Sequence, residues 1–576
     1  MLPFLRLYNR EVAFSKTHFM KKQFLLSFLA CLFYCNVNYA QAPFNTTDSV
    51  NINNINANVM VHGDMWWNIP EQAYACFFPN GTHKNIQFAA ALWMSGYDAG
   101  SHLHVAAQTY RQNGNDYWPG PLDTGDTLTY TTSSNWAKIW KVNRTDIQYF
   151  QSLPTHTTTN TPQAILTWPG NGNANAQGNG GASLTITSDM APFIDLNGNG
   201  IYEPLSGEYP DIKGDQALWW VFSDNGPTHN QTNGKPLGVE VHAMSYAYKR
   251  GTLIDDVVYY DYTIVNKSAK NYSNFRAALF DDVDLGWYAD NYLGFDSTWR
   301  MGIGYNGTNC SGCSAGNPVN SYGLNPPQVA VTMVVLPGDA GTSYVPVGSF
   351  TYFNNNGSII GNPAVDTEYN NYMRSKLRNG QHFTDDFSGR GIPSVGYGSG
   401  PDCNYVFPGN PSDTNQWSEC VCNDDPDDVR FVLSSNDFTL NAGSTAHMVL
   451  ALIVADSAGG CGATSFDSIR VVADTAWNIY YNPPPLIPSA VANIANDNSV
   501  TIYPNPANDK LYITNSRNNT AAATIIIYNV LGQAISISIN QNGNGYEADI
   551  SKLPPGLYNV LYRQGDMQMT VKFIKE

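Results

Sequence analysis

The sequence predicts an all-β protein with a large β-sandwich-type body, one or few helices, and a small immunoglobulin-like β-sandwich at the C-terminus. The composition supports this in two ways. The 576 residues include 49 glycines, which turns consume, together with 35 tyrosines and 13 tryptophans, which pleated strands accept. The third observation is the residue pattern, since short β-branched and aromatic runs alternate with Gly, Asn and Pro clusters while helical periodicity is scarce.

The N-terminal residues have the features of a secretory signal. Two lysines precede a short apolar run at 24–33, and the small residue Ala40 offers a cleavage point. We therefore predict a signal peptide at 20–40. Residues 1–19 have no comparable apolar run, so we interpret them as an upstream extension that is not native.

Composition also limits the partners. After the signal, no apolar stretch approaches the length that spans a bilayer, so we expect no membrane span in the mature chain. The net charge of -17 argues against nucleic acid as a partner, because nucleic-acid binding needs clustered Lys and Arg. A cation such as calcium suits this chain better.

Residues 43–482 are predicted to form one β-rich secreted body. Strand patterns are clearest at 253–266, 275–280, 329–336, 430–434 and 447–455. Apolar residues at helical spacing predict a helix over 465–481. A Gly/Asn-rich stretch at 169–182 is either a boundary between two β-modules or a long surface loop, and we favour the loop because no new strand pattern begins cleanly after it. Residues 483–498 are predicted to be a linker.

The strongest chemical motif in the body begins at Asp195. Asp195, Asn197 and Asn199 place side-chain oxygens at alternate positions, a glycine permits the sharp bend, and the carbonyl of Ile201 can supply a further ligand. This pattern resembles the calcium loops of EF-hand, dockerin and thrombospondin-type repeats.

The motif departs from that pattern where the closing bidentate acid should stand, because Ser206 occupies the position. The shell would have to be closed by one of the acids that follow, namely Glu203, Glu208, Asp211 or Asp215. We expect a structural Ca²⁺, preferred over Mg²⁺ because the site is flexible and built from protein oxygens. The alternative is a turn whose Asx side chains cap their own backbone.

A second acidic cluster follows a predicted strand, and it comprises Asp281, Asp282, Asp284, Asp290 and Asp296. Carboxylates leaving one sheet edge together repel unless a cation or raised pKa values relieve them. The cluster is therefore a second, weaker calcium candidate or a solvated acidic loop. Paired carboxylates also serve glycoside hydrolysis, which keeps a catalytic role open.

Cysteines in an exported protein are expected to form disulfides. The candidates are Cys310, Cys313, Cys403, Cys420, Cys422 and Cys461. A zinc site is the alternative, but no second Cys-x-x-Cys motif follows the first.

The C-terminal segment 499–576 carries several motifs in a fixed order. They are Tyr503-Pro504-Asn505-Pro506, the glycine at Gly532, the pair Gly556 and Tyr558, and a terminal basic strand containing Lys572. This segment resembles the C-terminal sorting domain of type IX secretion cargo in Bacteroidetes. The resemblance implies export through the periplasm, handling by the type IX machinery, and release or attachment to surface polysaccharide.

The body resembles a group of secreted cargo with no assigned reaction, on segments such as 214–222 and 438–443. We therefore expect a non-enzymatic surface or adhesion protein, with glycans as candidate partners. Trp-rich stretches, including Trp66-Trp67 and Trp219-Trp220, either stack on sugars or fill the core. The rival expectation is a secreted hydrolase that uses the second acidic cluster.

Overall fold

The computed structural model describes most of the chain. The described residues are 44–111, 114–340, 343–385, 387, 389, 400–457, 459–484, 500–515, 523–529, 533–543, 545–564 and 567–576. The predicted extension at 1–19, the predicted signal at 20–40, most of the predicted linker at 483–498 and Gly532 lie outside them. The chain divides into two compact units, Met1–Leu486 and Ile487–Glu576.

Strands dominate the first unit, which agrees with the predicted fold class. They are β1 (Thr47–Val50), β2 (Asn56–Met60), β3 (Trp67–Asn68), β4 (Ala73–Tyr74), β5 (Cys76–Phe77), β6 (Ala89–Tyr97), β7 (Leu103–Ala106), β8 (Trp118–Pro119), β9 (Trp140–Asn143), β10 (Phe193–Ile194), β11 (Tyr209–Pro210), β12 (Gln216–Ser223), β13 (Val239–Ala247), β14 (Val257–Asn266), β15 (Tyr272–Asp282), β16 (Asn291–Asp296), β17 (Met301–Asn306), β18 (Cys310–Ser311), β19 (Gly323–Leu324), β20 (Gln328–Val335), β21 (Ser349–Asn354), β22 (Val429–Ser434), β23 (Phe438–Leu440) and β24 (Thr445–Ala455).

The helices of the first unit are mostly short. They are α1 (Tyr130–Trp136), α2 (Arg144–Ser152), α3 (Gln163–Leu166), α4 (Asp366–Tyr372), α5 (Glu419–Cys422) and α6 (Asp467–Tyr481). Helix α6 confirms the helix predicted over 465–481. Within the described residues, no helix combines the length and the apolar character needed to cross a membrane.

Two large antiparallel sheets organise the unit. The nine-stranded sheet has the order β16-β17-β20-β24-β14-β13-β12-β8, with β9 also pairing with β12. The six-stranded sheet has the order β21-β22-β15-β6-β7, with β23 also pairing with β15. Strand β15 is therefore flanked on both edges, and its last six residues are buried.

The core lies in two layers. One cluster joins the inner faces of the two large sheets, with Trp93 and Phe280 from the six-stranded sheet and Tyr262 from the nine-stranded sheet. The second cluster covers the other face of the nine-stranded sheet, where α6 packs on β20 and β24. The tryptophans of the Trp66-Trp67 and Trp219-Trp220 pairs are all buried, so they fill the core.

One predicted strand begins later than expected. The pattern predicted a strand from residue 253, whereas Leu253–Asp256 forms a 3-10 turn before β14 begins. The Asp255 carboxylate causes this difference, because it accepts hydrogen bonds from the backbone N–H groups of Arg250 (2.6 Å) and Gly251 (2.9 Å) and so closes a turn.

The second unit is a small sandwich of two four-stranded sheets. Its strands are β25 (Val500–Tyr503), β26 (Lys510–Asn515), β27 (Thr524–Tyr528), β28 (Ala534–Ile535), β29 (Ile539–Asn542), β30 (Gly545–Asp549), β31 (Gly556–Gln564) and β32 (Met567–Lys575). The sheet orders are β25-β26-β30-β29 and β28-β27-β31-β32. Buried residues such as Leu511, Ile527 and Phe573 form its own core.

Replacing Trp93 with alanine tests the importance of the layer between the large sheets. Its ring stacks on Phe280 at 5.3 Å between centroids and meets Tyr369 edge-on at 4.7 Å. We expect Trp93→Ala to lower the free energy of unfolding by about 3–5 kcal/mol, measured by chemical denaturation. Tyr149→Ala, at a side chain that is 53% exposed on α2, is the control and should have little effect. Equal losses in both variants would contradict this packing.

Candidate functional site

The end of β15 brings acidic side chains into the interior. Successive strand residues point to opposite faces, so Asp281 and Asp282 separate. The Asp281 carboxylate accepts a hydrogen bond from Gln87 Nε2 at 3.3 Å. The Asp282 carboxylate faces the other way, where it accepts from the Tyr110 hydroxyl at 2.5 Å and from Arg430 at 3.0 Å.

The pairing of β15 with β22 supplies the rest of the site. Asp282 lies directly opposite Arg430 in the register of these strands. Asp428, two residues before Arg430, therefore lies beside the end of β15, and Asp284 follows that end. Carboxylate oxygens of Asp282, Asp284 and Asp428 lie within 4.8 Å of one another. We call these three residues with Arg430 the acidic pocket.

Arg430 is the one cation among the described residues that line this pocket. Its guanidinium contacts Asp282 at 3.0 Å and Asp428 at 2.6 Å. Burial alone would lower the pKa of Arg430, but the negative charges of Asp282 and Asp428 outweigh that effect and raise its pKa. The guanidinium is therefore permanently charged, and it still leaves the pocket with more carboxylates than cations.

Burial, together with the excess negative charge, raises the pKa values of Asp282 and Asp284. Burial raises the pKa of Asp282 to about 6, although Arg430 opposes the shift. Burial and the neighbouring charges of Asp282 and Asp428 raise the pKa of Asp284 well above its ordinary value. In the absence of another cation, the pocket thus stabilises the protonated form of Asp284 relative to the unfolded chain.

Among the residues that the structure describes, two buried oxygens in the pocket have no hydrogen-bond partner. They are Oδ1 of Asp282 and Oδ1 of Asp284. An unpartnered buried carboxylate oxygen is costly, so the pair marks a place where a cation, a proton or a ligand group belongs. A cavity of about 400 Å³ opens beside them. Its lining includes Phe88, Thr109, Tyr110, Gln231, Tyr288, Asn355, Asn362 and Tyr369.

The structure brings together only part of the second predicted cluster. Asp290 accepts from the backbone N–H of Gly312 at 2.7 Å, and burial raises its pKa to about 7. Asp296 accepts from the backbone N–H of Thr298 at 2.8 Å and pairs with Arg470 at 2.6 Å. These two acids thus hold local turns outside the acidic pocket.

Sequence reasoning missed Asp428, Arg430 and Tyr110. Strand 430–434 was predicted, and acidic residues precede it at 424–428, so the signal was present. Only the register between β15 and β22 shows that the two acidic stretches meet.

In the predicted calcium loop that begins at Asp195, the Asx side chains accept hydrogen bonds from the loop's own backbone. Asp195 accepts from the backbone N–H groups of Gly198 and Gly200, both at 2.7 Å. Asn197 and Asn199 each accept from the N–H two residues ahead, at 3.0 Å and 2.7 Å. These Asx-type bonds shape the loop, and they are the arrangement weighed as the alternative to a bound ion.

The acids considered for closing this loop are placed differently. Glu203 accepts from the side-chain amides of Asn197 (2.8 Å) and Asn199 (2.9 Å), and its own N–H donates to Glu208 at 2.7 Å. Asp215 instead pairs with Arg250. Asp211 is exposed and lines a separate groove on the nine-stranded sheet. The loop therefore has Glu203 and Glu208 close to its Asx residues, while Asp215 is held by another partner.

Two disulfides join four of the predicted cysteines, as Cys310–Cys313 and Cys420–Cys461. The second ties α5 to the segment that precedes α6. Cys403 and Cys422, the other two candidates, are half-buried.

In the second unit, the predicted sorting motifs meet at the last strand. Asn505 accepts from the N–H of Ile574 at 2.9 Å and donates to the carbonyl of Lys572 at 3.2 Å. Tyr558 stacks on Phe573 with centroids 5.4 Å apart. The Tyr503-to-Pro506 segment therefore anchors the C-terminal strand of the unit.

Comparison with known proteins identifies the second unit. Residues 501–576 match the family model described as a secretion system C-terminal sorting domain. This is the type IX secretion signal, and the family implies a protein of Bacteroidetes. The chain is therefore exported through the periplasm to the cell surface or the medium, as the sorting motifs predicted.

The same comparisons give little information about the fold or activity of the body. No curated protein matches the chain. Among solved structures, a polysaccharide lyase is similar over 58% of this chain and 34% of its own, with 7% identity and a TM-score of 0.17. This chain spans about a third of that protein's length, and a likeness at this TM-score carries no argument about fold or activity.

The raised pKa of Asp284 predicts how stability depends on pH. In the unfolded chain this carboxyl titrates near its ordinary pKa of about 4, so folding favours the protonated form. The resulting stability is fully present below about pH 4 and is lost as pH rises through the folded-state pKa. With metals chelated, the wild-type protein should lose about 1.4 kcal/mol of unfolding free energy per pH unit over that window from this group.

Asp284→Asn removes that group at nearly constant size and should flatten the loss, measured by urea denaturation from pH 4 to pH 8. Asp467→Asn is the matched control, since Asp467 is 79% exposed on α6. Identical pH slopes in wild type and Asp284→Asn would contradict the raised pKa.

Proposed function

We propose that the body is a calcium-stabilised, non-enzymatic surface protein that binds glycans. The observation that carries this proposal is the acidic pocket, where Asp282 and Asp284 each leave a buried carboxylate oxygen without a partner. Three carboxylates face one guanidinium there, so a divalent cation would balance the charge.

The donor set of the pocket fits calcium. All candidate ligands are oxygens, which hard cations prefer, and one carboxylate oxygen from each of the three acids lies within 4.8 Å of the others, close enough to share one ion. Asp282 and Asp284 would hold the ion through their unpartnered oxygens, with Asp428 beside them. The ion would lower the pKa of Asp284 and relieve the repulsion among the acids.

The loop that begins at Asp195 is proposed as a second calcium site. Its Asx residues already point their oxygens inward, and Glu203 and Glu208 lie within hydrogen-bonding distance of loop atoms. Binding there would exchange hydrogen bonds within the loop for bonds to the ion. The gain is therefore expected to be smaller than in the buried pocket.

Calcium should raise the melting temperature of the exported body. An ion at one hundred times its dissociation constant adds about 2.7 kcal/mol of stability for each site. Asp284→Asn should remove one part of the increase and Asp195→Ala the other, and the double variant should show none, measured by calorimetry with and without a chelator.

Asp467→Asn serves as the control and should keep the full increase, because its carboxylate belongs to neither site. If the wild-type protein shows no shift, or the double variant keeps the whole shift, the calcium proposal is wrong.

The side chains at the mouth of the pocket support the proposed glycan binding. Tyr288 is 39% exposed there, and the side-chain amides of Asn355 and Asn362 lie beside it, where Asn362 donates to Asn355 at 2.9 Å and Asn355 donates to Asp428 at 3.1 Å. An exposed aromatic ring can pack on the apolar face of a sugar, while amides bind its hydroxyls. A bound calcium ion would present a further coordination position for a sugar oxygen.

A secreted hydrolase is the second candidate, and one observation favours it. Asp282 and Asp284 have pKa values raised to different extents in one cavity, and such pairs supply the acid and the base of glycoside hydrolysis. In this alternative, protonated Asp284 donates the proton and Asp282 acts as the base or nucleophile.

Incubation with polysaccharides separates the two candidates. We expect the wild-type protein to retain glycans on a binding array without releasing new reducing ends, and Asp284→Asn to weaken retention. Turnover by the wild type that is lost in both Asp282→Asn and Asp284→Asn would instead establish the hydrolase.

A further inference from the structure

A second cavity of about 660 Å³ lies on the nine-stranded sheet, apart from the acidic pocket. Alternate residues of β13, β14 and β24 form its floor, and the segment 188–192 contributes one wall. On β14, Asp261, Thr263 and Val265 face this groove, while the residues between them are buried on the other side of the sheet.

The strand register places two histidines on either side of a threonine. His242 on β13 pairs with Thr263 on β14, and Thr263 pairs with His447 on β24. The three side chains therefore form one row across neighbouring strands. Each histidine in this row has its own carboxylate.

Those carboxylates orient the imidazole rings. Nε2 of His242 bonds to Glu240 at 2.7 Å, and Nε2 of His447 bonds to Asp261 at 2.7 Å. Because each carboxylate holds its ring through Nε2, Nδ1 of each ring is left for a ligand. Within the described residues, neither Nδ1 atom nor the Thr263 hydroxyl has a hydrogen-bond partner.

The carboxylates beneath this row already have other hydrogen-bond partners. Glu240 also accepts from the backbone N–H of Leu122 at 2.8 Å, and Asp261 also binds Lys213 at 2.6 Å. The pKa of Asp261 stays below its ordinary value, because the hydrogen bond from His447 and the charge of Lys213 outweigh its burial. At this row, the imidazole Nδ1 atoms and the Thr263 hydroxyl are therefore left over for a ligand, while Asp189, Asp211 and Lys267 add charges of both signs elsewhere in the lining.

Apolar surface completes the groove. Trp219, Met244 and Val265 lie in its lining, with the Trp219 ring meeting His242 edge-on at 6.1 Å. A ligand that fits this row must combine several hydroxyls with an apolar face, which is the chemistry of a sugar, and the mixed charges of the lining favour a sugar without net charge.

We propose that this groove binds a neutral oligosaccharide through Thr263, His242 and His447. The inference rests on the proposed glycan-binding role and gives that role a second site that needs no cation. An acidic sugar would meet Asp189 and Asp211 in the lining, and a cationic peptide would meet Lys213 and Lys267 there.

Titration of the exported chain in a chelator tests the proposal, with xylotetraose and cellotetraose as neutral probes, tetragalacturonic acid as the anionic probe and tetralysine as the cationic probe. Imidazole resonances of His242 and His447 should shift with a neutral probe. Thr263→Val, which keeps the β-branched shape, should weaken that binding at least tenfold. His447→Gln should weaken it as well.

His102→Ala is the matched control, because His102 also contacts a carboxylate, Asp98, but lies outside the groove and is 60% exposed. It should bind like the wild type. The proposal fails if no neutral probe binds, if Thr263→Val binds normally, or if only the charged probes bind. Calcium-dependent retention of glycans that survives such a failure would leave the proposed function of the acidic pocket intact.

Discussion

The burial of Asp282 against Arg430 is the constraint on which the body depends. These residues face each other on two central strands, so the ion pair fixes the register of β15 with β22. Removing one partner of a buried pair typically costs about 3–5 kcal/mol, because the other charge is left uncompensated. The same register carries Asp428 to Asp284, so a single pairing creates both the stable sheet and the acidic pocket.

Local sequence patterns predicted much of the fold. The helix over 465–481 and the strands at 275–280, 329–336 and 447–455 follow from periodicity, since each buries a continuous apolar face. The start of β14 was misplaced because Asp255 closes a turn through its side chain, and hydropathy does not record that bond.

The acidic pocket was only half predictable. Asp282 and Asp284 stand out as a charged run after a strand, but Asp428 and Arg430 come from a distant part of the chain. Their proximity depends on which strands pair and in which register. The alternation of residues along a single strand does not determine that pairing. Asp290 and Asp296 belong to the same acidic stretch of the sequence, but local turns place them outside the acidic pocket. The row formed by His242, Thr263 and His447 was missed for the same reason, because it depends on the register of three strands.

The sorting domain determines the compartment in which these sites act. It delivers the body to the cell surface or the medium, where modules that bind calcium with dissociation constants of about 10⁻⁴–10⁻³ M can be filled. The groove on the nine-stranded sheet would then act as a cation-independent contact, and the acidic pocket as a cation-dependent one.

Anomalous X-ray scattering from crystals grown with calcium tests the central claim most directly. We predict an anomalous peak in the acidic pocket, with Oδ1 of Asp282 and Oδ1 of Asp284 about 2.3–2.6 Å from it. A well-ordered pocket with no peak, in which protonated Asp284 donates a hydrogen bond to a neighbouring carboxylate, would contradict the account.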